Sequence, residues 1–445
     1  MVLFAGIYIV VNLHLLRNVA GPVYLAVYAA VASLVVVAAV TSGRRHNWRG
    51  SSWGFTWAAI CTLGLPISLA YTDFSGVTSG YVRLVFAFPV FLALILFTST
   101  QDDLRRNVTV MLLFGAIASL SLPLQLVTGP IGWFASSSER AGLDRYASLA
   151  GSLTSFGIGA GALIVLAPLA TRRVGTVCAL VIAVSAATSL SKAGMANILL
   201  SIIALAWLYR RKLPSKILKV APFAMAAAYV AADIEGLRDR FIATASSFGL
   251  VSDPAIVNYD VPVDQSVGER LTALPAANFA ALGDLHTPFA YLLGGGYGMG
   301  GTALVPRESV LAPMAHNQFA ELITVFGFIL GGAAILGMLA TFGRLWKVAR
   351  NTPCPEQRRV YQLTIAAYSI FLANSLFANG TLYQPFSASI FYFALFVAWC
   401  YPHLATTTQV ERRTSARASD LRSNSNPQSR GSARRIAGRF GQAEP

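Results

Sequence analysis

Long apolar stretches separated by short polar gaps repeat along most of the chain. One crossing of a bilayer needs roughly 20 mostly apolar residues, and stretches close to that length occur about twelve times. They predict transmembrane helices at about residues 2–16, 22–41, 55–71, 81–98, 108–127, 148–170, 174–190, 194–209, 217–232, 317–342, 361–378 and 387–402. The pattern therefore indicates an all-α polytopic membrane protein with about twelve crossings.

The gaps divide the chain into four parts. Residues 1–232 carry the first nine predicted crossings, 233–316 form a large loop rich in acidic residues, and 317–402 carry the last three crossings. The tail, 403–445, is basic and nearly free of apolar residues, which predicts disorder because it cannot bury a core.

Two stretches of the large loop have patterns of their own. Apolar residues at mixed helical spacing in 268–285 predict one or two short helices, with the outer membrane surface as one location for them. The stretch "LLGGGYGMGG", 292–301, predicts a flexible, glycine-dense turn.

Composition supports a membrane protein and locates the charge. Hydrophobic residues make up 55% of the chain, mean hydropathy is +0.59, and charged residues are 12% where a soluble domain has about 25%. The net charge of +15 does not indicate nucleic-acid binding, because 25 of the 34 Lys and Arg residues fall in alternate gaps and in the tail. The positive-inside rule then places both termini in the cytoplasm and the large loop outside.

The stretch "APMAHNQFAELITVFG", 312–327, places polar residues at the start of an apolar helix. His316 is either a capping or interfacial residue or a group that takes a proton from a hydroxyl or bonds a phosphate. Asn317 and Glu321 share one helical face and could pair with each other. Because an acid inside a membrane segment is expensive, Glu321 is a functional candidate, with structural pairing as the alternative.

Several cations fall on the predicted outer side. Arg140, Arg145 and Arg270 have acidic neighbours in the sequence, so salt bridges are one explanation for them. A phosphate-bearing substrate is the other, since a guanidinium matches phosphate oxygens with two parallel hydrogen bonds. Lys192 is a further outward cation, and Arg83, just inside a crossing, is expected to snorkel to the surface.

Two familiar kinds of site are not indicated. Gly296, Gly298 and Gly300 lack the βαβ context of a dinucleotide loop, so they predict a turn with positive φ, with a phosphate-binding nest of backbone amides as the alternative. The one Asp-Asp pair, Asp102 and Asp103, falls on the cytoplasmic side. We therefore predict no metal site and no cofactor.

Four stretches together resemble the O-antigen ligase and polymerase superfamily, bacterial membrane glycosyltransferases of the GT-C type. They are "RYASLAGSLTSFG" (145–157), "TSLSKAG" (188–194), "ERLTALPAANF…LLGGGYG" (269–298) and "HNQFAELITVFGFILG" (316–331). The predicted number of crossings and the large loop before the tenth crossing are similar too. One departure is Lys192, where the family has arginine, because lysine keeps the charge but loses the bidentate fork.

The resemblance implies transfer of a glycan from undecaprenyl diphosphate to a hydroxyl on the outer face of the inner membrane. Because no Asp-x-Asp pair falls on the outer side, we predict that this transfer needs no metal. The resemblance also implies that Arg270 and Lys192, with Arg145, stabilise the leaving diphosphate. His316 would be the base for the acceptor hydroxyl or a second contact to the diphosphate. Arg140, Asn317 and Glu321 complete the predicted substrate-binding residues.

Three functions remain open on the sequence. A polymerase uses a lipid-linked repeat unit as acceptor, a ligase uses lipid A-core or a protein, and a polysaccharide transporter or flippase would show ionisable residues on broken helices. "RYASLAGSLTSFG" (145–157) favours the polymerase slightly. The expected partners are the lipid-linked donor, a glycan acceptor and the bilayer, with a chain-length regulator as a further candidate, and no nucleic acid.

Overall fold

The structure, a computed structural model, describes most of the predicted membrane region. The described residues are 2–13, 17–41, 48, 50–71, 74–131, 138–140, 143–151, 153–187, 192–210, 271–285, 289–299, 316–378 and 381–404. The predicted crossing at 217–232, Arg270 and the tail from residue 405 onward lie outside them, so the predictions for those segments stay predictions.

Almost all described elements are helices. The first nine are α1 (Val2–Asn12), α2 (Arg17–Thr41), α3 (Ser52–Leu69), α4 (Phe74–Val85), α5 (Phe88–Phe97), α6 (Gln101–Thr128), α7 (Leu153–Leu166), α8 (Arg172–Ala187) and α9 (Lys192–Leu208). The others are α10 (Ala273–Gly283), α11 (Ala290–Leu293), α12 (Gln318–Phe326), α13 (Gly332–Asn351), α14 (Pro355–Ser375) and α15 (Pro385–Leu395). Strands β1 (Ser138–Arg140) and β2 (Leu143–Arg145) form one short antiparallel hairpin.

Within the described part of the chain, six spans are long and apolar enough to cross a membrane. They are Gly21–Ala38, Ser52–Leu69, Gly76–Phe97, Gln101–Gln125, Gln318–Asn351 and Pro385–Leu404, and five shorter apolar helices accompany them. The predicted all-α membrane protein is confirmed at this level.

The centre of the bundle is formed by α15 and α7. In the span that contains α15, 89% of residues are buried, whereas in the span of α2 only 11% are. Phe386 of α15 stacks on Phe156, three residues into α7, with ring centroids 5.8 Å apart. The span that contains α15 is therefore enclosed by protein. Helix α2 is peripheral, and its exposed apolar side chains suit a lipid environment.

One end of the bundle collects positive charge. Arg105 at the start of α6 lies 3.7 Å from the carboxylate of Glu356 on α14. The Arg344 Nε atom, on α13, donates to the Ala398 carbonyl at 2.9 Å, beyond the end of α15. We call this the basic end, and the start of α12 lies at the opposite end.

Two predicted crossings are interrupted. Residues 81–98, predicted as one helix, contain the end of α4 and all of α5, with a turn at Phe86 and Ala87 between them. The physical reason is Pro89 in the first turn of α5, because proline cannot continue the hydrogen bonding of a preceding helix.

The second interruption lies in the predicted crossing 317–342. Helix α12 ends where Gly327 adopts φ of 70°, and a π-helical turn, Gly327–Gly331, leads into α13. The break frees backbone carbonyls inside the bundle. The amide of Gly295 donates to the Thr324 carbonyl at 2.9 Å, and that of Gly296 donates to the Val325 carbonyl at 3.0 Å.

The glycine turn is buried between helices. The Tyr297 amide donates to Ser68 Oγ at 2.7 Å, and its hydroxyl donates to the Cys61 carbonyl at 2.6 Å, so both bonds end on α3. Positive φ at Gly296 (79°) confirms the predicted turn geometry for that residue, and Gly294 (84°) shares it. Gly298 instead lies in a 3-10 turn, Tyr297–Met299, and Gly300 lies outside the described residues. These contacts indicate an anchored turn rather than the predicted flexible one. The phosphate-nest alternative is wrong at Gly296, because its amide already donates to the Val325 carbonyl.

We expect Gly294→Ala to destabilise the protein strongly. A Cβ at Gly294 would collide with the Val325 carbonyl and the Gly327 amide, and a backbone with φ of 84° and ψ of 174°, a region almost reserved for glycine, costs about 1–3 kcal/mol for a residue with a side chain. Thermal unfolding of the detergent-solubilised protein measures the effect.

Gly332→Ala is the matched control. Gly332 has helical φ, and a Cβ added there would meet no atom within 4 Å, so alanine should be neutral or stabilising by up to about 1 kcal/mol. Equal unfolding temperatures for the two variants would contradict the packing of the glycine turn.

Candidate functional site

The start of α12 is shaped by His316 and Asn317. His316 has φ of 46°, and among the described residues it is the one non-glycine residue with positive φ. Such a backbone is uncommon and is enriched at functional sites. Asn317 is the N-cap, because its Oδ1 accepts from the amides of Phe319 at 3.0 Å and Ala320 at 3.1 Å. The capping role considered for His316 therefore belongs to its neighbour.

Glu321 is enclosed one turn into the helix. Its side chain is 2% exposed, and its Oε2 accepts from Gln318 Nε2 at 3.3 Å. Gln318, which no sequence pattern singled out, is one hydrogen-bonding partner of this carboxylate. The predicted side-chain pair of Asn317 and Glu321 does not form among the described contacts, where the Asn317 oxygen caps the helix and Gln318 donates to Glu321.

Gln318 also ties α12 to the turn between α14 and α15. Its Oε1 accepts from Thr381 Oγ1 and from the Leu382 amide, both at 3.2 Å. The Thr381 hydroxyl lies 3.0 Å from Ser375 Oγ, and the Thr381 carbonyl accepts from Ser387 Oγ at 2.7 Å. We call the connected set Gln318, Glu321, Ser375, Thr381 and Ser387 the polar junction.

Arg83 brings a positive charge close to the junction. Its side chain is 8% exposed, so the predicted snorkelling to the surface is wrong. Burial raises the pKa of the Tyr383 phenol, the Glu321 carboxylate raises it further, and the Arg83 guanidinium opposes the shift. One phenol thus lies within electrostatic range of both a buried acid and a buried guanidinium.

Two buried amide oxygens add unused hydrogen-bonding capacity. Oε1 of Gln125 and Oε1 of Gln384 have no hydrogen-bond partner within the described part of the chain. Gln384 precedes α15 and follows the turn that carries Thr381. Gln125 donates its amide to the Ala147 carbonyl at 3.0 Å, which fixes the segment that follows β2. Buried acceptors of this kind favour a ligand with hydroxyl groups, because leaving them unpaired is unfavourable.

The two arginines of the first outer gap share one hairpin. In its register Ser138 pairs with Arg145 and Arg140 with Leu143, while the acids Glu139 and Asp144 lie opposite each other. The backbone therefore places Arg140 and Arg145 on the same small hairpin, one on either side of the Glu139–Asp144 pair.

The remaining predicted cations lie at the edges of described segments. Lys192 is the first residue of α9. Arg270 lies outside the described residues, but the described chain resumes at Leu271 and continues into α10, whose Phe279 stacks on Phe328 with centroids 6.4 Å apart. Phe328 lies in the π-helical turn directly after α12. Helix α10, which follows Arg270 in the chain, therefore packs beside the end of α12, and His316 precedes the start of α12.

Metal ligands do not gather in the described part of the chain. No three His, Cys, Asp or Glu side chains there are grouped so that they could hold an ion. Metal-independent chemistry stays a prediction.

No known family model matches the chain, and no curated protein matches it at a significant level. Support for a function therefore comes from the motifs and from the geometry of these residues.

We expect Gln318→Ala to lower the unfolding temperature. The variant leaves the Leu382 amide without its described acceptor and removes one donor from the Glu321 carboxylate, and each buried unsatisfied group costs about 1–3 kcal/mol. Gln318→Glu should be at least as harmful, because it sets a second carboxylate beside Glu321. Thermal unfolding in detergent measures both variants.

The control is Gln357→Ala, on the basic end of α14, away from the polar junction. If Gln318→Ala unfolds at the same temperature as Gln357→Ala, the polar junction does not hold α12 to the turn that follows α14.

Proposed function

We propose that the protein is a surface polysaccharide polymerase, a membrane glycosyltransferase that moves a glycan from undecaprenyl diphosphate to a hydroxyl of a lipid-linked repeat unit. The observation that carries the proposal is the polar junction directly behind His316, with a buried arginine close to it, at the end of the bundle opposite the basic end. A diphosphate-linked glycan at a membrane face needs such a combination of cations, hydroxyl acceptors and a candidate base.

The roles follow from charge. Arg270, Lys192 and Arg145 would stabilise the diphosphate, with Arg140 beside them on the hairpin. Glu321 would repel a diphosphate, so we assign it to hydroxyl groups of the glycan or to balancing the charge of Arg83. The oxygens of Gln125 and Gln384, which have no partner among the described residues, suit sugar hydroxyls as well.

His316 would meet the acceptor hydroxyl, either as base or as hydrogen-bond partner. A contact from His316 to the diphosphate fits the same sequence and remains the alternative role. Asn317 would contribute by capping α12 and so fixing the position of His316.

The orientation and architecture belong to the same proposal. The basic end would face the cytoplasm, as the positive-inside rule requires, with both termini there and the polar junction on the periplasmic face of the inner membrane. About twelve crossings in a GT-C-like arrangement complete it, with the large loop, 233–316, on the periplasmic side. A chain-length regulator would be a further partner.

A transporter of lipid-linked glycans is the second candidate, and the break at Gly327 favours it. Discontinuous helices line the substrate sites of many transporters. Two observations argue against a transporter. The amides of the glycine turn already bond the carbonyls that the break frees, so these are not available to a transported substrate. The described ionisable groups of the site also lie near one end of the bundle. A ligase that uses lipid A-core or a protein as acceptor shares the donor and the chemistry.

Deleting the protein from its host separates these functions on a gel of surface polysaccharide. Loss of a polymerase leaves single repeats, loss of a ligase leaves bare core, and an unchanged lipopolysaccharide pattern points to a separate exopolysaccharide. We expect single repeats. In purified proteoliposomes, a transporter would move the lipid-linked glycan without extending it, and that result would overturn the proposal.

His316→Ala and Arg270→Ala should each abolish the polymer without changing the amount of protein in the membrane. Loss of a general base lowers rates by about 10²–10⁴, and loss of a diphosphate contact removes transition-state stabilisation. His316→Gln, which keeps a hydrogen bond but takes no proton at neutral pH, distinguishes a base from a hydrogen-bond partner.

His286→Ala and Arg238→Ala, from the same predicted loop, are the matched controls and should complement the deletion. Near-normal polymer from both His316→Ala and Arg270→Ala would reject the site.

Activity in purified membranes should survive EDTA. The predicted outer side offers cations rather than a pair of acids for the diphosphate, so a divalent ion is not needed to balance its charge. A loss of transfer in EDTA that added Mg²⁺ or Mn²⁺ restores would contradict this part of the proposal.

A further inference from the structure

The basic end of the bundle contains a long apolar groove that the proposed function does not use. It has a volume of about 830 Å³ and lies between α9, α13 and α14. Its walls include Ile203 and Trp207 of α9, Trp346 of α13 and Ile365 of α14. Trp207 is 66% exposed and Trp346 is 49% exposed, so large apolar surfaces face outward here.

The groove has the length of a lipid chain. Its lining on α14 runs from Arg358 to Ala373, which is about 22 Å at 1.5 Å per residue. One leaflet of the hydrocarbon core is roughly 15 Å deep. The groove therefore extends from the basic end through the depth of one leaflet.

Positive charge is confined to one end of the groove. Arg350 and Arg358 line it there, and Gln362 lies beside them. A second cavity of about 410 Å³ shares Leu208 and Gln362 with the groove and adds Arg210 and Arg359 to the same rim. The Arg350 side chain is exposed, and it forms no hydrogen bond or ion pair with another described residue.

Arg358 and Arg359 of the rim are held in place by other residues. Arg358 donates from Nε and Nη2 to the Thr352 carbonyl at 3.1 and 2.9 Å. Arg359 donates from Nε to the Tyr209 hydroxyl at 2.8 Å and lies 5.0 Å above the Tyr209 ring. Two of the four guanidinium groups of the rim, those of Arg358 and Arg359, are thus held at defined positions, and Arg350 remains available to a ligand.

We propose that this groove binds an anionic diacyl phospholipid of the leaflet at the basic end, such as phosphatidylglycerol. The acyl chains would lie against the two tryptophans and the phosphate would meet Arg350 and Arg358. Basic pockets between membrane helices recognise such head groups, and tryptophan is enriched at this depth.

Charge disfavours the competing occupants. The chain that leaves α9, residues 210–219, carries five Lys or Arg and no acid. It would add positive charge to the rim instead of neutralising it. A second copy of the protein would bring the same basic end, and a zwitterionic lipid would leave the arginines without a net counter-charge.

The test uses the full-length protein in phosphatidylcholine bilayers that contain increasing amounts of phosphatidylglycerol with brominated acyl chains. Bromine quenches tryptophan at short range, and the signal of Trp346 is the difference between wild type and Trp346→Phe. We expect brominated phosphatidylglycerol to quench Trp346 at lower mole fractions than brominated phosphatidylcholine. The preference should be about fivefold per arginine engaged, since each contributes about that factor at a membrane surface.

Arg350→Gln should reduce the preference about fivefold, and high salt should weaken it in the wild type. Because Arg350 has no described bonds to lose, this variant should fold normally. Lys347→Gln is the control, since Lys347 is exposed on the same helix but does not line the groove; it should leave the preference unchanged.

Three results would overturn the proposal. Equal quenching by both lipids would mean apolar contact alone. An equal loss in Lys347→Gln and Arg350→Gln would mean a diffuse surface charge effect. Absence of any Trp346 quenching would mean that protein, either this chain or a second copy, covers the groove.

Discussion

The arrangement depends on one backbone requirement, that every amide and carbonyl inside a membrane protein finds a partner. Helix α12 stops at Gly327 in the interior of the bundle, which frees the carbonyls of Thr324 and Val325. The amides of Gly295 and Gly296 bind them. The glycine turn is also anchored to α3 through Tyr297. It therefore joins α12 to α3.

This arrangement gives His316 a defined position. A short helix of nine residues, capped by Asn317 at one end and closed by the glycine turn at the other, cannot shift along its axis without breaking backbone bonds. Gln318 prevents rotation, because it bonds Glu321 and the turn that follows α14 together. A reactive or ligand-binding group at the start of such a helix is held from both sides, which is the preorganisation that transfer chemistry needs.

The two ends of the bundle then differ in what they can bind. One end presents a buried acid, amides and hydroxyls next to an enclosed arginine. The basic end presents exposed guanidinium groups at one end of an apolar groove. A hydroxyl-rich, membrane-anchored substrate suits the first end and an anionic lipid the second, and neither would be well matched if the ends were exchanged.

Much of the fold was predictable because membrane helices are selected by length and apolarity, which are properties of the sequence alone. The positive φ of Gly296 and the helical character of residues 273–283 follow from local rules of this kind. The breaks after Val85 and at Gly327 do not follow from apolarity, which Pro89 and Gly327 leave almost unchanged. Whether such a residue ends a helix depends on neighbouring segments that supply the lost hydrogen bonds.

The candidate site divides in the same way. From the sequence alone came the membrane class, the separation of charge and the singling out of His316, Asn317 and Glu321 at a helix start. Only the tertiary structure decided that Gln318 is the partner of Glu321, that Arg83 is buried, and that the amides of the glycine turn are used by α12. The physical reason is that burial and pairing of a polar group depend on what other helices bring to it, and residues such as Gln318 and Leu382, 64 positions apart, meet only when the bundle is assembled.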